Sequence, residues 1–457
     1  MVPTTLTNAL DEKPFLKEVT TYYEKAGFEI YLVGGAVRDG ILGIETRDFD
    51  FTTNASPEDS LELLRSKGYK TTEIGKAFGT IETTVEGCSL HITTYREDTY
   101  DKDSRKPEVK PTRDLDKDLS RRDFTINALA YDINKNEIID PYSGLKDLSE
   151  GTIRTPDSPN ISFSDDPLRM LRACRFISTH GFTPNNDVFE AITKNLERIQ
   201  IVSTERIRDE FTKLLTGENP SLGIKAFVES GLSQLIIPEL DELKIEVDPN
   251  HHHKDVYEHT MVVVDRVSPT LVSRMSALLH DIGKPKTKGI ENGKVHFRHH
   301  EVVGAKMSKK ILKRLKYDNE TIKKVSLLVE NHLRPHTFKM GWTDSAVRRY
   351  IIDAGGLLEE LNDLVRADIT TKNKAKYEEI NKYLDEMEER IKEVAEKEEL
   401  SKLRPPISGD EIMDMFDLEP GPSVGVIMKA LYEQRINDGE VSKEEAIKLA
   451  EQVYKKL

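Results

Sequence analysis

The sequence predicts an α+β protein in which a small mixed-sheet unit is followed by an all-helical remainder. Two patterns carry this. In the N-terminal third, short runs rich in β-branched and aromatic residues are separated by turns, as in EIYLVGG, DFDFTT, GTIETTV and SLHITTY, which is the signature of strands. From about Asp165 onward the spacing changes, and Leu168, Leu171 and Phe176 recur among arginines at roughly helical intervals in DPLRMLRACRFIS. At 457 residues the chain is long enough for roughly two to four domains, each with its own core.

Taken in order, the first strand run ends in Gly34-Gly35, which opens a helix carrying Arg38 and Asp39. DFDFTT is the next strand, and Glu86-Gly87 joins two further runs as a hairpin turn. REDTYDKDSRKPEVKP is polar and mixed in charge, so it reads as a mobile loop. Helices follow, then a histidine-rich helical unit from about His251 to Thr370. KYEEINKYLDEMEERIKEVAEKEEL carries opposite charges four residues apart and reads as a solvated helix. Arg404-Pro405-Pro406 breaks it, and a short C-terminal unit places Gly421 and Gly425 around a turn before the last helix.

Composition excludes several classes. No stretch approaches the 18 or so apolar residues of a membrane-spanning helix, and MVPTTLTNALDEKPF lacks a basic-then-apolar signal pattern. A cytoplasmic protein with no membrane partner is expected. Two cysteines, Cys88 and Cys174, support neither a disulfide framework nor a cysteine-based zinc module, and both read as buried. The net charge of −14 does not decide nucleic-acid binding, which depends on local positive patches. Nothing in the sequence sets an oligomeric state.

The chemistry begins at Asp48-Phe49-Asp50. Acids two residues apart on a strand point to one face of the sheet, where both can hold metal ions. A paired Mg²⁺ site of this kind suits nucleotidyl transfer, activating an attacking hydroxyl and stabilising the leaving pyrophosphate. The Gly34-Gly35 turn lets backbone N–H groups approach a triphosphate. Taken singly, such features are ordinary turns and caps; their order is informative.

LVGGAVRDGILG, then RDFDFTT, then SRRDFTINALAYD together resemble the head of the class II tRNA nucleotidyltransferase and poly(A) polymerase family. The resemblance continues through DDPLRMLRACRF and ERIRDEFTKLL to about residue 240. It implies catalytic metals on Asp48 and Asp50, and a nucleotide site formed by Gly34, Gly35, Arg38, Arg122, Asp123 and Asn127, with Arg121 bracing it. It further implies that Asp166 and Arg169, three apart on a helix, hydrogen-bond the base edge of CTP or ATP in place of a template, with Arg172 and Arg175 continuing toward phosphates or packing the neck. Alone, that pair reads as a surface ion pair. Family members that add only CC have a shortened loop; here Arg105 and Pro107 are in place, which favours addition of the terminal A. The sequence departs from the family at His91, where a third carboxylate is common. Two aspartates and the triphosphate suffice, or Glu82 substitutes, or the register is shifted; a ligand role and a half-exposed strand histidine both fit. The expected partners are tRNA, CTP and ATP.

His259, His280, Asp281, His300, His332 and Asp368 form a second set, spaced along predicted helices. Imidazole and carboxylate ligands in this number suit a one- or two-metal hydrolytic centre, and the set resembles the HD-domain phosphohydrolases. The divalent metal is not specified. Lys284 and Arg298 are candidates for holding phosphate, and His251 to His253 read as a polar linker, with one of them joining the site as the alternative. Four segments follow: a head at 1–150, a neck and body at 151–245, an HD unit at 246–372 and a tail at 373–457. The tail, with Lys429, is expected to grip tRNA or to pack as a helical cap. Alternatives to CCA addition are poly(A) polymerisation, addition of CC or A only, or an HD phosphohydrolase whose head is an RNA-binding scaffold.

Overall fold

Alternation of large apolar and acidic side chains shapes the central strand of the N-terminal third. In the computed structural model, described for residues 2–74, 79–99, 108–245, 255–292, 294–371, 373–398, 405–439 and 441–457, Phe49 and Phe51 turn into the core while Asp48 and Asp50 stay outside. Strands β1 (Ile30–Val33), β2 (Asp48–Thr53), β3 (Thr71–Ile74), β4 (Thr80–Val85) and β5 (Cys88–Thr94) precede β6 (Arg96–Thr99) and β7 (Glu108–Pro111); β8 (Ala130–Asp132) and β9 (Glu137–Ile139) follow. Seven of them form one mixed sheet in the order β3-β4-β5-β2-β1-β8-β9. β2 and β5 are parallel and the other neighbours antiparallel.

Glu86 and Gly87 take positive φ of 50° and 77° at the β4–β5 connection, the backbone a two-residue hairpin demands. Helices Thr4–Asp11, Pro14–Lys25 and Gly35–Leu42 pack Leu6, Leu16, Val19, Tyr23 and Val37 onto the Phe49 and Phe51 face. The opposite face keeps the acids. The charged segment expected to be a loop instead has strands at both ends, β6 and β7, paired from Arg96↔Pro111 to Thr99↔Glu108. Asp98 explains why: its carboxylate is 3% exposed and anchored by Arg96 at 3.3 Å and Arg121 at 3.4 Å. Arg105 and Pro107 lie outside the described residues.

The helix Leu168–His180 buries Met170, Leu171, Cys174 and Phe176 and packs against Thr204–Leu215 and Pro220–Glu229. Both cysteines are free and buried, and burial pushes the Cys174 thiol up to about 12. The chain divides into two units, Met1–Asp241 and Glu242–Leu457.

The second unit is helical apart from a small hairpin, Gly289–Glu291 with Lys294–His296. Its helices Val256–Arg266, Leu271–Leu279, His300–Arg314, Asn319–Asn331 and Leu358–Asp368 carry the histidine set, and three more, Gly409–Phe416, Pro422–Asp438 and Lys443–Tyr454, close the chain. Two expectations are corrected here. Lys374–Glu398 is not solvated all round, because Leu384, Met387, Ile391 and Val394 form a buried stripe at helical spacing. Gly425 sits inside the helix Pro422–Asp438 rather than in a turn; Pro422 starts that helix and Gly421 precedes it in extended backbone. Arg404 and His251 to His253 lie outside the described residues. No helix among the described residues is long and apolar enough to cross a membrane.

Candidate active sites

Strand β1 ends at Gly34, whose backbone (φ 67°, ψ −134°) lies in a region that suits glycine, and Gly35 starts the helix Gly35–Leu42. A Cβ on Gly34 would stand 3.2 Å from Arg122 Nη1 and 3.9 Å from Asp50 Oδ2. The bare glycine therefore leaves a gap between the acid pair and an arginine. Asp48 and Asp50 share the outer face of β2, as expected.

The register resolves His91. Val33 pairs with Asp50, Asp50 with His91, and His91 with Glu82, so the four residues form one row across the sheet. His91 Nδ1 is 3.5 Å from Asp50 Oδ1, and its Nε2 is 3.5 Å from Glu82 Oε1. The Asp50 hydrogen bond, with both carboxylate charges, raises the imidazole above its ordinary value.

Around this face a polar network is already assembled. Arg38 is buried; it donates to Asn127 Oδ1, and its Nε donates to Asp39 Oδ1 at 2.8 Å. Asn127 Nδ2 donates to Asp123 Oδ1 (2.9 Å), and Arg172 Nε donates to Asp123 Oδ2 (2.8 Å). Burial opposes the Asp123 charge, but Arg172 and Asn127 overcome it and hold the carboxyl far below the usual range. Its acceptors are therefore filled by protein. Glu210 receives Arg172 and Arg175 at 3.3 Å each, and the Arg175 guanidinium lies 4.3 Å from the Phe176 ring centre. Burial, then the charge of Arg172, brings Arg175 down to about 10.

The expected base-reading pair is placed differently from the expectation. Asp166 is not on the helix face: with φ −126° and ψ 96° it caps the preceding helix, and its Oδ1 accepts from Leu168 N at 3.2 Å. The physical reason is Pro167, whose ring disfavours helical backbone at the residue before it. Arg169 is buried, donating to Ser162 Oγ at 2.7 Å and to the Arg121 carbonyl. It shares a cavity of about 190 Å³ with Asp165, Arg121, Arg122 and Asp98.

Sequence reasoning missed Asp118. This carboxylate is fully buried. It accepts from Thr52 Oγ1 (3.0 Å), Arg96 N (3.2 Å), Arg121 Nε and Nη2 (3.0 and 2.8 Å) and Arg122 Nη2 (3.3 Å). It thus ties β2, the base of the β6–β7 hairpin and two arginines together. Its position three and four residues before them was a legible signal.

The second unit brings all six expected residues into one cluster. His259 Nε2 lies 2.8 Å from Asp368 Oδ1 and 3.2 Å from His280 Nε2, and Asp281 contacts His280 and His300 at 3.2 Å each. Ligand atoms gather into two groups, His259–His280–Asp368 and Asp281–His300–His332. Each ring is fixed from outside: Nδ1 of His280, His300 and His332 meets the carbonyls of Ala277, Phe297 and Val329, and that of His259 meets Thr370 Oγ1. This leaves Nε2 facing inward, the arrangement that orients metal ligands. The Nε2 atom of His332 is buried without a hydrogen-bond partner, that of His300 has only Asp281 at 3.2 Å, and burial brings His332 down to about 4. A donor set of inward-facing imidazole nitrogens and carboxylates, one of the nitrogens orphaned on His332, fits a divalent cation. Lys284 belongs here, 2.6 Å from Asp281. Arg298 does not: it is exposed and pairs with Glu291.

Residues 30–154 match the poly(A) polymerase head domain, 181–244 the family described as the probable RNA- and SrmB-binding site of polymerase A, and 252–408 the HD domain. The A-adding tRNA nucleotidyltransferase of Deinococcus radiodurans is 32% identical over 418 residues, 88% of this chain and 91% of that protein. The CCA-adding enzyme of Ligilactobacillus salivarius is 41% identical over 220 residues, 48% of this chain and 52% of that enzyme, so the match spans about half of its length. Among solved structures, the Bacillus stearothermophilus CCA-adding enzyme in complex with CTP aligns with TM-score 0.69 at 23% identity, covering 96% of this chain and 97% of its own. The Thermotoga maritima CCA-adding enzyme complexed with tRNA aligns at 0.56 and 19% identity, covering 99% and 98%. At these identities the likeness is one of fold.

Proposed function

From the premise that the chain belongs to the tRNA nucleotidyltransferase family with a poly(A) polymerase head, we propose that it adds CCA to tRNA 3′ ends from CTP and ATP in the cytoplasm, without a template. The observation that carries this is the shared outer face of Asp48 and Asp50 against Gly34 and Arg122. Residues 1–150 are the catalytic head, 151–245 the neck and body, 246–372 the HD unit and 373–457 the tail.

Asp48 and Asp50 would hold Mg²⁺, which when bound activates the RNA 3′ hydroxyl and neutralises the departing pyrophosphate. The protein's own part is positioning. The Gly34-Gly35 turn and the helix it opens receive the triphosphate through backbone N–H groups. Arg122, anchored on Asp118, points its second amino group over Gly34 and clamps phosphate. Asp123 and Asn127 act by holding Arg172 and Arg38 in place. The base is read where Arg169 lines its cavity, with Asp166 turning inward from its cap when a nucleotide enters. Arg175 packs the neck. Lys429 and the tail grip tRNA phosphates.

The HD cluster works separately as a metal-dependent phosphohydrolase. His259, His280, Asp281, His300, His332 and Asp368 hold the divalent ion, which when bound supplies a hydroxide for attack on phosphorus. Lys284 neutralises Asp281 and faces the incoming phosphate.

tRNA lacking CCA, incubated with CTP and ATP, should gain C, C and A in order on end sequencing; the Asp48→Ala variant should gain nothing. Extension by Asp48→Ala would overturn the assignment. A second reading, addition of A alone, is favoured by the match along 91% of the Deinococcus radiodurans relative; it expects extension of tRNA ending in CC and none of tRNA lacking all three residues. A run of adenylates would indicate a poly(A) polymerase. Phosphate release with no extension at all would leave the head as a scaffold.

A further inference from the structure

A chain carrying a net charge of −14 must concentrate positive charge locally if it is to hold RNA. The neck arginines do not provide it, since Arg172 and Arg175 are committed to Asp123 and Glu210. The stretch from Lys306 to Lys324 differs. It holds eight cations (Lys306, Lys309, Lys310, Lys313, Arg314, Lys316, Lys323 and Lys324) against two carboxylates, Asp318 and Glu320. It forms most of the antiparallel pair His300–Arg314 and Asn319–Asn331.

Helix geometry puts these charges together. On His300–Arg314 the inward positions are Gly304, Ala305, Ser308, Ile311 and Leu312. Lys306, Lys309, Lys310 and Lys313 then fall on one outer stripe at spacings of three and four, running about 10 Å along the axis at about 1.5 Å per residue. All four are exposed, as is Lys323 on the partner helix. Among the described residues these five have no carboxylate within ion-pair reach, whereas Lys324 is paired with Glu320 at 2.6 Å. The helix dipole accounts for Lys313 and Arg314, in the last turn. It does not account for Lys306, Lys309 and Lys310, which lie further back and lose energy by mutual repulsion.

Lys309 and Lys323 both line a groove of about 410 Å³. Ile322 and Leu327 line it as well, Asn319 and Ser326 add neutral hydrogen-bonding groups, and Glu330 and the Arg334–Asp353 pair also border it. Unpaired cations flanking short apolar surface match a sugar–phosphate chain, with charge on the phosphates and apolar contact for the ribose or base. We propose that this outer face of the helix pair binds the phosphodiester backbone of RNA, as a contact surface separate from the residues of either active site. It rests on the reading that the chain works on RNA. Such contacts position without reading sequence, so the surface takes RNA of any sequence.

The test uses the full chain with Lys309→Glu, Lys313→Glu and Lys323→Glu combined, all exposed positions. Anisotropy of fluorescent tRNA lacking CCA is followed between about 50 and 200 mM salt. The variant should bind about tenfold or more weakly near 100 mM, and its log–log salt slope should be shallower by roughly two to three, about one for each lysine lost. KM for tRNA should rise while kcat at saturating tRNA stays put. An unchanged affinity and slope would overturn the proposal. So would unchanged RNA binding with loss of flotation on vesicles of about 30% phosphatidylserine, which would make the surface a membrane contact. Wild-type chain that extends no tRNA, yet binds it with the same lysine-dependent slope, would refute the head assignment and support this surface.

Discussion

Asp118→Asn removes one charge from the centre of the head network and changes almost no volume. The carboxylate accepts five hydrogen bonds, three of them from Arg121 and Arg122. An amide oxygen accepts about two, and its NH₂ must face a donor from Thr52 or an arginine. The variant therefore leaves Arg122, 17% exposed, with much of its charge unpaired and Arg121, 16% exposed, with only Asp98 at 3.4 Å. Breaking a buried pair in this way costs about 3–5 kcal/mol. For a unit of this size that lowers the midpoint of unfolding by roughly 6–20 °C, at about 2–4 °C per kcal/mol. The assay is thermal unfolding of the full chain, following the transition of the N-terminal unit. Burial opposes the Asp118 charge, but Arg121 and Arg122 hold its carboxyl below the ordinary value. A depressed carboxyl stabilises above its unfolded pKa of about 3.9 and loses that contribution as pH falls through its folded value. The gap between wild type and variant should thus be full near neutrality and shrink below about pH 4. A midpoint shift under about 1 °C at neutral pH, or a gap independent of pH, would refute the view of Asp118 as the charge that anchors both arginines.

Further outcomes are expected at other positions. Gly34→Ala places a Cβ 3.2 Å from Arg122 Nη1 at φ 67°, a strain of about 1–3 kcal/mol; steady-state kinetics should show KM for CTP and ATP raised at least about tenfold, with a small loss of stability. His91→Glu sets a carboxylate beside Asp50 and should lower the Mg²⁺ concentration for half-maximal incorporation by about threefold or more, read from a metal titration. Gly283→Ala drives a Cβ to 2.3 Å from the His300 carbonyl and 2.7 Å from Gly304 N, so phosphohydrolase activity and bound metal should fall while tRNA extension is kept. His332→Ala should reduce the metal per chain measured by mass spectrometry, and chelator should lower the unfolding temperature of wild type more than that of the variant.

What was legible followed from short-range rules. Phe49 and Phe51 alternate with Asp48 and Asp50 within six residues, so the strand and its two faces were readable without knowing what packs on them. Glu86-Gly87 announced its turn by backbone preference alone. The histidine set was readable because each residue type is costly to bury without purpose. Asp118 was hidden because its value depends on convergence: Thr52, Arg96 and Arg122 approach it from three segments. β6 and β7 were hidden for a related reason, since charged strands such as REDT look like loop until Asp98 finds Arg121. Asp166 is a different case. The proline after it was visible, and its effect on the preceding residue is local, yet the pattern of the following helix outweighed it.

The His91 row shows how pairing turns an ambiguous residue into a constrained one. Strand periodicity alone left open whether His91 faced the acids, because a one-residue slip reverses the side chains. Parallel pairing of β2 with β5 sets His91 next to Asp50, and antiparallel pairing of β4 with β5 sets Glu82 next to His91. Glu82 is thus one strand further from Asp50 than a direct substitute for a third acid would be. With Nδ1 toward Asp50 and Nε2 toward Glu82, the imidazole stands between two carboxylates, and Glu82 acts on Asp50 through the ring it orients. The same logic governs the second unit, where carbonyls and Thr370 fix each Nδ1 and so decide which nitrogen is left for the site. In both places the atom behind the ring sets the chemistry in front of it.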